Sequence, residues 1–352
     1  MIIIDFWEHA KKTIDKRIVE TIAKHYGIES EQPMSLAEIG RDFKITRERV
    51  RQLRNKGVRL FINFINENNY LKEIKKFIKD HLNNLGLRTE SKLRTILLEK
   101  NFSNKEVSIL KFIASIHPEV DYHHETDHYR PFFAENNKVL ITALHSLNRI
   151  RKLILSKPLS ILDQEKIYDI VAREIKIHFH KTASLDDLIE VMSVIKELSK
   201  NPFNQYGYID NPYVAPKSIN NKIYLLLKNV KKPMHFEEIK NYLDQISKTK
   251  DDFLHPNWQK QYSIGSITNA LMNDPRFIFV GKGTYGLKEW NLIEGTAKEI
   301  LLKILKKAKK IKKEILWQKL STIRKISRNS FNIYICYHPN IKIQGDYVIY
   351  KK

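Results

Sequence analysis

A single cysteine, Cys336, stands among the 352 residues. One thiol excludes an intramolecular disulfide and a cysteine-rich zinc site. A chain without disulfides suits a reducing compartment, so a cytoplasmic, nucleoid-associated location is expected. Long apolar runs are missing too: none approaches the roughly 18 residues that a membrane span needs. The apolar opening Met1–Ile4 is followed at once by Asp5, Glu8 and His9, which fits neither a signal peptide nor an anchor. Acids are scarce. Against 62 Lys and Arg stand 40 Asp and Glu, a net charge of +22, and that surplus points to a polyanion partner, nucleic acid before membrane. There is no phosphate-binding loop, no cysteine nucleophile pair and no supported metal triad, so neither an enzyme nor a cofactor is expected. The length suits two to four domains.

The most informative stretch is Ser35–Phe61, SLAEIGRDFKITRERVRQLRNKGVRLF. Ser35 followed by Glu38 is a capping box, so a helix is expected to begin there. Leu36, Ile39 and Phe43 give it one apolar stripe, and Lys44–Ile45 is a short turn. Thr46 then caps a second helix. On that helix Val50, Leu53, Gly57 and Leu60 share one face, while Arg47, Glu48, Arg51, Gln52 and Asn55 share the other. Two helices on so short a turn make a helix-turn-helix. The polar front suits base reading: Arg bonds guanine bidentately, Gln bonds adenine, and Glu accepts from cytosine N4 in the DNA major groove. The alternative is a solvated face of mixed charge.

The string TRERVRQ, Thr46 to Gln52, resembles the second helix of region four of the principal sigma factors of bacterial RNA polymerase. RIVETIAKHYGI (Arg17–Ile28) and the turn Pro33-Met34-Ser35-Leu36 extend the likeness, so that it covers about residues 14–65. The resemblance implies that Arg47, Glu48, Arg51 and Gln52 read a promoter element of the −35 type. It also implies that Thr46, Lys56 and Arg59 touch backbone phosphates, and that RNA polymerase core is a partner beside double-stranded DNA. Two positions depart from the family: Arg54 stands where Glu is usual and Gly57 where Ala is usual. No stretch resembles the sigma region that opens the −10 element, so the resemblance is not to a complete sigma factor.

The remaining chain is expected to be mainly α, a helix-turn-helix domain over 1–68 followed by tandem winged helices. Residues 5–26 have helical periodicity, and Asn66–Asn69 is a polar break. Residues 70–135 order as three helices and an extended pair, a winged helix with a strand at Tyr129–Phe133. Within it, Asp121–His128 (DYHHETDH) is the one metal-like cluster. Its spacing fits no metal motif, and a solvated loop is the expected reading. A divalent-metal nuclease site among Asp121, Glu125 and Asp127 is the enzyme alternative. Residues 136–216 read as a helical domain, its last helix Leu185–Leu198, closed by the aromatic loop Asn201–Pro216.

Residues 218–291 read as a second winged helix with the hairpin turn Gly281-Lys282-Gly283, where Lys282 is a candidate phosphate contact. Its strings PMHFEEI (Pro233–Ile239), ITNALMND (Ile267–Asp274) and PRFIFVGKGTYGLKEW (Pro275–Trp290) resemble the HARE-type helix-turn-helix. That fold also occurs in the delta subunit of RNA polymerase, in chromatin proteins and in restriction enzymes. Residues 295–352 read as a third winged helix. From 301 onward it holds 14 Lys and Arg against Glu314 and Asp346, a balance of +12. Lys306, Lys307, Lys309 and Lys310 are expected to hold phosphates without sequence choice; the rival reading is an ordinary solvated helix face. The whole reads as a sequence-specific DNA-binding transcription protein. The alternative is a DNA-recognition or scaffold subunit of a defence, mobile-element or repair complex.

Overall fold

The computed structural model describes residues 2–29, 32–156, 159–324 and 326–351. The chain divides into two compact units, Met1–Leu198 and Ser199–Lys352. It is mainly helical with small antiparallel sheets, a helix-turn-helix followed by winged helices.

The first unit opens with α1 (Ile2–Thr13) and α2 (Lys16–Tyr26), so the helical periodicity over 5–26 resolves into two helices. The break lies at Asp15. Its carboxylate accepts from the backbone N–H of Arg17 (3.0 Å) and Ile18 (3.2 Å), a new N-cap in mid-pattern. The pair α3 (Leu36–Asp42) and α4 (Arg47–Glu67) follows. At 21 residues α4 is about 30 Å long, and its two halves do different work. Phe61, Phe64 and Ile65 are buried in a core shared with Phe6, Trp7, Ile74 and Phe112. There the Trp7 and Phe61 rings stack at 5.5 Å, and Phe112 meets Phe61 edge-on at 5.1 Å. Each such fully buried side chain contributes about 1.5–3 kcal/mol. The polar break at Asn66–Asn69 turns the chain without dividing this core, which continues to Val120 and Phe133.

Next come α5 (Tyr70–Lys79), β1 (Leu87–Thr89), α6 (Glu90–Glu99), α7 (Asn104–Ile116), β2 (Tyr122–His123) and β3 (Phe132–Ala134), with strand order β1-β3-β2. The strand expected at Tyr129–Phe133 is displaced to β3, and its partner β2 comes from inside the DYHHETDH segment. Then follow α8 (Asn137–Leu155), β4 (Ile161–Asp163), α9 (Gln164–Phe179) and α10 (Leu185–Val194). Helix α10 stops at Val194, short of the expected Leu198, because another segment takes its terminal carbonyls. The Arg130 backbone N–H donates to the Val194 carbonyl at 2.8 Å, and its guanidinium donates to the Ser193 carbonyl at 2.6 Å.

After α10, β5 (Leu198–Lys200) begins at the last residue of the first unit, and in the second unit β6 (Gln205–Tyr208) precedes α11 (Ile219–Val230), β7 (Met234–His235), α12 (Phe236–Ser247), α13 (Ile264–Asn273), β8 (Phe277–Gly281) and β9 (Thr284–Leu287). The hairpin joining β8 to β9 turns through Gly281, Lys282 and Gly283, all at positive φ. A side chain at Gly283 would also collide with the His235 ring, 2.6 Å from the Cβ position. Last come α14 (Ala297–Ala308), β10 (Lys310–Lys312), α15 (Lys313–Ile323), α16 (Arg328–Tyr337), β11 (Ile341–Gln344) and β12 (Tyr347–Tyr350), on a core centred on Leu305, Leu316, Phe331 and Val348. The order helix, strand, helix, helix, strand, strand thus occurs four times among the described residues, beginning at α5, α8, α11 and α14.

One buried cation stands out. Lys222, 1 % exposed, donates to the Asn257 carbonyl and to the Tyr262 hydroxyl, and no carboxylate pairs with it among the described residues. Burial, with a smaller push from Lys260, brings its amine down to about 8. The unfolded chain therefore binds more protons than the folded one between about pH 8 and pH 10.5, and stability rises with pH across that window. Urea unfolding is expected to give a gain on the order of 1–3 kcal/mol there. A Lys222→Met variant is expected to lose that part of the slope.

Candidate nucleic-acid interface

The helix-turn-helix is held by backbone geometry at its turn. Ser35 and Glu38 form the reciprocal capping box, with bonds of 2.7 and 3.3 Å. The chain then reverses through Lys44, which sits in the left-handed region at φ 54°, while the Ile45 N–H donates to the Gly40 carbonyl at 2.9 Å. A Cβ at Gly40 would lie 2.9 Å from the Ile45 carbonyl oxygen, so only glycine lets the turn close this tightly. Behind the pair, Gly57 of α4 lies against Ile18 and Ile22 of α2, whose methyl and methylene carbons would come within 2.9 Å of an added Cβ. The Gly57 departure from the family pattern is thus a buried packing position, with α2 pressed close to α4.

Thr46 opens α4. Its hydroxyl oxygen accepts from the Arg49 backbone N–H at 3.2 Å, which leaves the hydroxyl proton to donate outward, toward a phosphate for instance. Arg47, Glu48, Arg51 and Gln52 are all exposed, while Val50 is fully buried on the opposite side. The spacing therefore resolves as expected, with Val50 in the core and the four polar residues in solvent. Two of the four are paired with each other. Arg51 bonds Glu48 bidentately at 2.8 and 2.7 Å. That guanidinium holds the Glu48 carboxyl below its ordinary range, so the pair is intact at neutral pH and is lost only as acid protonates Glu48. Gln52 accepts from Arg49 at 3.1 Å. Arg49 was not singled out by the front-and-back reading of the helix, although its i,i+3 spacing to Gln52 is a usable signal. Asn55, placed on the front by periodicity, is half-buried and accepts from the Arg54 guanidinium at 2.7 and 3.1 Å. Lys56 and Arg59 are exposed farther along the helix.

In winged helices the third helix is the usual reader, and here those helices have little free positive charge. On α7, Lys105 pairs with Glu8 and Glu29, and Lys111 with Glu90. Helix α10 carries Asp186, Asp187 and Glu190 and no Lys or Arg; α13 carries no charge. On α16 the single Arg328 is taken by Glu314 and lies over the Trp317 ring. Lys282 is exposed at its hairpin tip. Lys306, Lys307, Lys309 and Lys310 are all exposed at the end of α14 and the start of β10, and no carboxylate pairs with them among the described residues.

The histidine-rich segment is dispersed. His123 stacks on Phe132 at 5.0 Å, His128 bonds Glu197 at 2.6 Å, and Glu125 pairs with Lys196 at 3.0 Å. Among the described residues no group of three or more His, Cys, Asp or Glu is placed to hold a metal ion, and no helix is long and apolar enough to cross a membrane.

Residues 16–60 match the family model described as Sigma-70, region 4. The match spans α2, α3 and most of α4, and this segment is a DNA-binding helix-turn-helix of the sigma type. No curated protein matches the chain.

Substituting Gly40→Ala is expected to force the Ile45 carbonyl away and tilt α4 against α3. The expected cost is about 1–3 kcal/mol of stability, measured by urea unfolding, with weaker binding to duplex DNA in the same preparation.

Proposed function

We propose that the protein is a sequence-specific, nonenzymatic DNA-binding transcription protein of the nucleoid. Its α4 reads a promoter element of the −35 type through Arg47, Glu48, Arg51 and Gln52. The observation that carries this reading is the TRERVRQ face itself: it is exposed along the front of a helix whose back is locked in the core, inside a segment of the sigma region-four type. Thr46, Lys56 and Arg59 position the duplex through phosphates, since phosphate contacts fix register and base contacts give specificity. The Glu48–Arg51 pair keeps both side chains extended over the groove; on DNA each exchanges its partner for a base edge, guanine for Arg51 and cytosine N4 for Glu48. Lys282 and the lysines at 306, 307, 309 and 310 add contacts without sequence choice. The winged helices, including the HARE-like one, dock the complex onto RNA polymerase core.

A second reading has its own support. The acidic α10 and the uncharged α13 suit protein contacts better than DNA, which favours a recognition or scaffold subunit of a larger complex. Retention of purified core polymerase by the immobilised full-length chain separates the two. Stoichiometric capture supports the first reading; none, with a DNA motif present, supports the second.

The direct test is selection of bound sequences from random duplexes at about 0.15 M salt, where exposed charges are already screened. A motif of a few base pairs is expected, and it is expected to vanish in an Arg47→Ala/Arg51→Ala/Gln52→Ala variant. Arg51→Ala alone is expected to weaken the selected site roughly tenfold to a hundredfold and leave random DNA nearly unchanged. Equal losses on both would make Arg51 a phosphate contact. Neutralising Lys306, Lys307, Lys309 and Lys310 together is expected to weaken all duplexes alike and to flatten the salt dependence of binding. An unchanged slope would remove these lysines from the DNA surface.

A further inference from the structure

The sheet β10-β12-β11 leaves one face open to solvent, its outer strands exposed and Tyr347 and Ile349 half-buried between them. By contrast, every residue of β1 and β3 is buried. In the C-terminal sheet Ile311, Val348, Ile341 and Tyr350 pack into the core. Alternation along each strand therefore places Lys310, Lys312, Tyr347, Ile349, Lys342 and Gln344 on the opposite face. The register sorts them into two cross-strand rows, Lys310–Ile349–Lys342 and Lys312–Tyr347–Gln344. With strands about 4.8 Å apart, the face is a central apolar track, one tyrosine and one isoleucine, with lysines on the strands at either side. The Lys310 ammonium lies 4.5 Å from the centre of the Tyr347 ring, so the cation and the ring share that side. Lys310, Lys312 and Lys342 are exposed, and no carboxylate pairs with them among the described residues.

We propose that this face binds single-stranded nucleic acid, with a base stacked on Tyr347 and phosphates held along the lysine strands. Charge complementarity selects a polyanion, and the central track selects the form of it. A duplex offers phosphates and the edges of stacked bases, which the lysines alone could hold. Against it, Tyr347 and Ile349 would meet a charged backbone and gain nothing. An unpaired strand offers exposed base faces, for which an aromatic ring flanked by cations is the fitting platform. This inference stands on the sheet alone and does not rest on base reading by α4. It moves the nucleic-acid surface of this module from the third helix α16, whose only cation is already paired, to the sheet.

The test uses the full-length chain, a fluorescein-labelled oligo-dT of about fifteen nucleotides, and a random duplex of equal length, followed by anisotropy at about 0.15 M salt. The wild type is expected to bind oligo-dT, and Tyr347→Leu, which keeps apolar cover but removes the ring, to weaken it about fivefold to a hundredfold with duplex binding unchanged. Lys312→Ala/Lys342→Ala is expected to weaken oligo-dT binding and reduce its salt dependence, whereas Arg51→Ala is expected to leave it unaltered. Tyr347→Leu with a wild-type melting temperature and undiminished oligo-dT binding would overturn the proposal. So would equal losses on single strand and duplex, which would assign the face to duplex phosphates. Should Tyr347→Leu fail to fold, photo-cross-linking of the wild type to bromodeoxyuridine-substituted oligo-dT decides: adducts on the β12 peptide support the proposal, and adducts confined to other peptides overturn it.

Discussion

Everything the first unit offers to DNA depends on the burial of one end of α4. Phe61, Phe64 and Ile65 lie in a core with Trp7, Phe6 and Phe112, and Gly57 lets α2 press against the middle of the helix. The exposed N-terminal half carries a dense set of charged side chains that contribute little to stability by themselves, since exposed ion pairs are weak. The buried half supplies the rigidity. A short helix of this charge density would fray in water; fused to a buried extension it stays formed, and its side chains keep fixed positions before any ligand arrives. The turn at Gly40 and Lys44 then sets the angle at which the rod leaves the body.

Charge is distributed on the same principle of separation. Lysines and arginines on α7 and α16 are neutralised by carboxylates, and α10 is acidic. On the front of α4 Arg47 stands exposed beside the Glu48–Arg51 pair, and in the other unit exposed lysines gather at the end of α14 and on the outer sheet face. The net charge of +22 is therefore a poor guide to how many contact surfaces exist. It is the pairing, visible only in three dimensions, that shows which cations remain available.

Much of this was legible in the residues. The capping box at Ser35, the cap at Thr46 and the alternation of Val50 with its polar neighbours are local signals, each spanning fewer than five residues, and each formed as written. The hairpin turn at Gly281-Lys282-Gly283 was equally plain. What escaped was governed by partners distant in sequence. Asp15 breaks an apolar period that continues on both sides of it. Strands β2, β7 and β10 hold only two or three residues, too few to show any period, and exist because β3, β9 and β12 pair with them. The early stop of α10 depends on Arg130, more than sixty residues upstream. Of the front of α4, the four exposed positions were readable from the period, but the coupling of Arg49 to Gln52 and the withdrawal of Asn55 toward Arg54 required side-chain positions.

The uninterrupted course of α4 also fixes a phase relation. Val50 and Phe61 are both buried, and their separation, 61 minus 50, is 11 residues. At about 3.6 residues per turn that is close to three full turns, so the two anchors lie on nearly the same side of the cylinder. The exposed front of the helix is thereby locked to the azimuth of a core more than a turn away. Lengthening the helix by one residue between the anchors would rotate that face by about 100°; adding four would nearly restore it. Evolution of this segment is thus restricted to changes of side chain, or to length changes that come in whole turns.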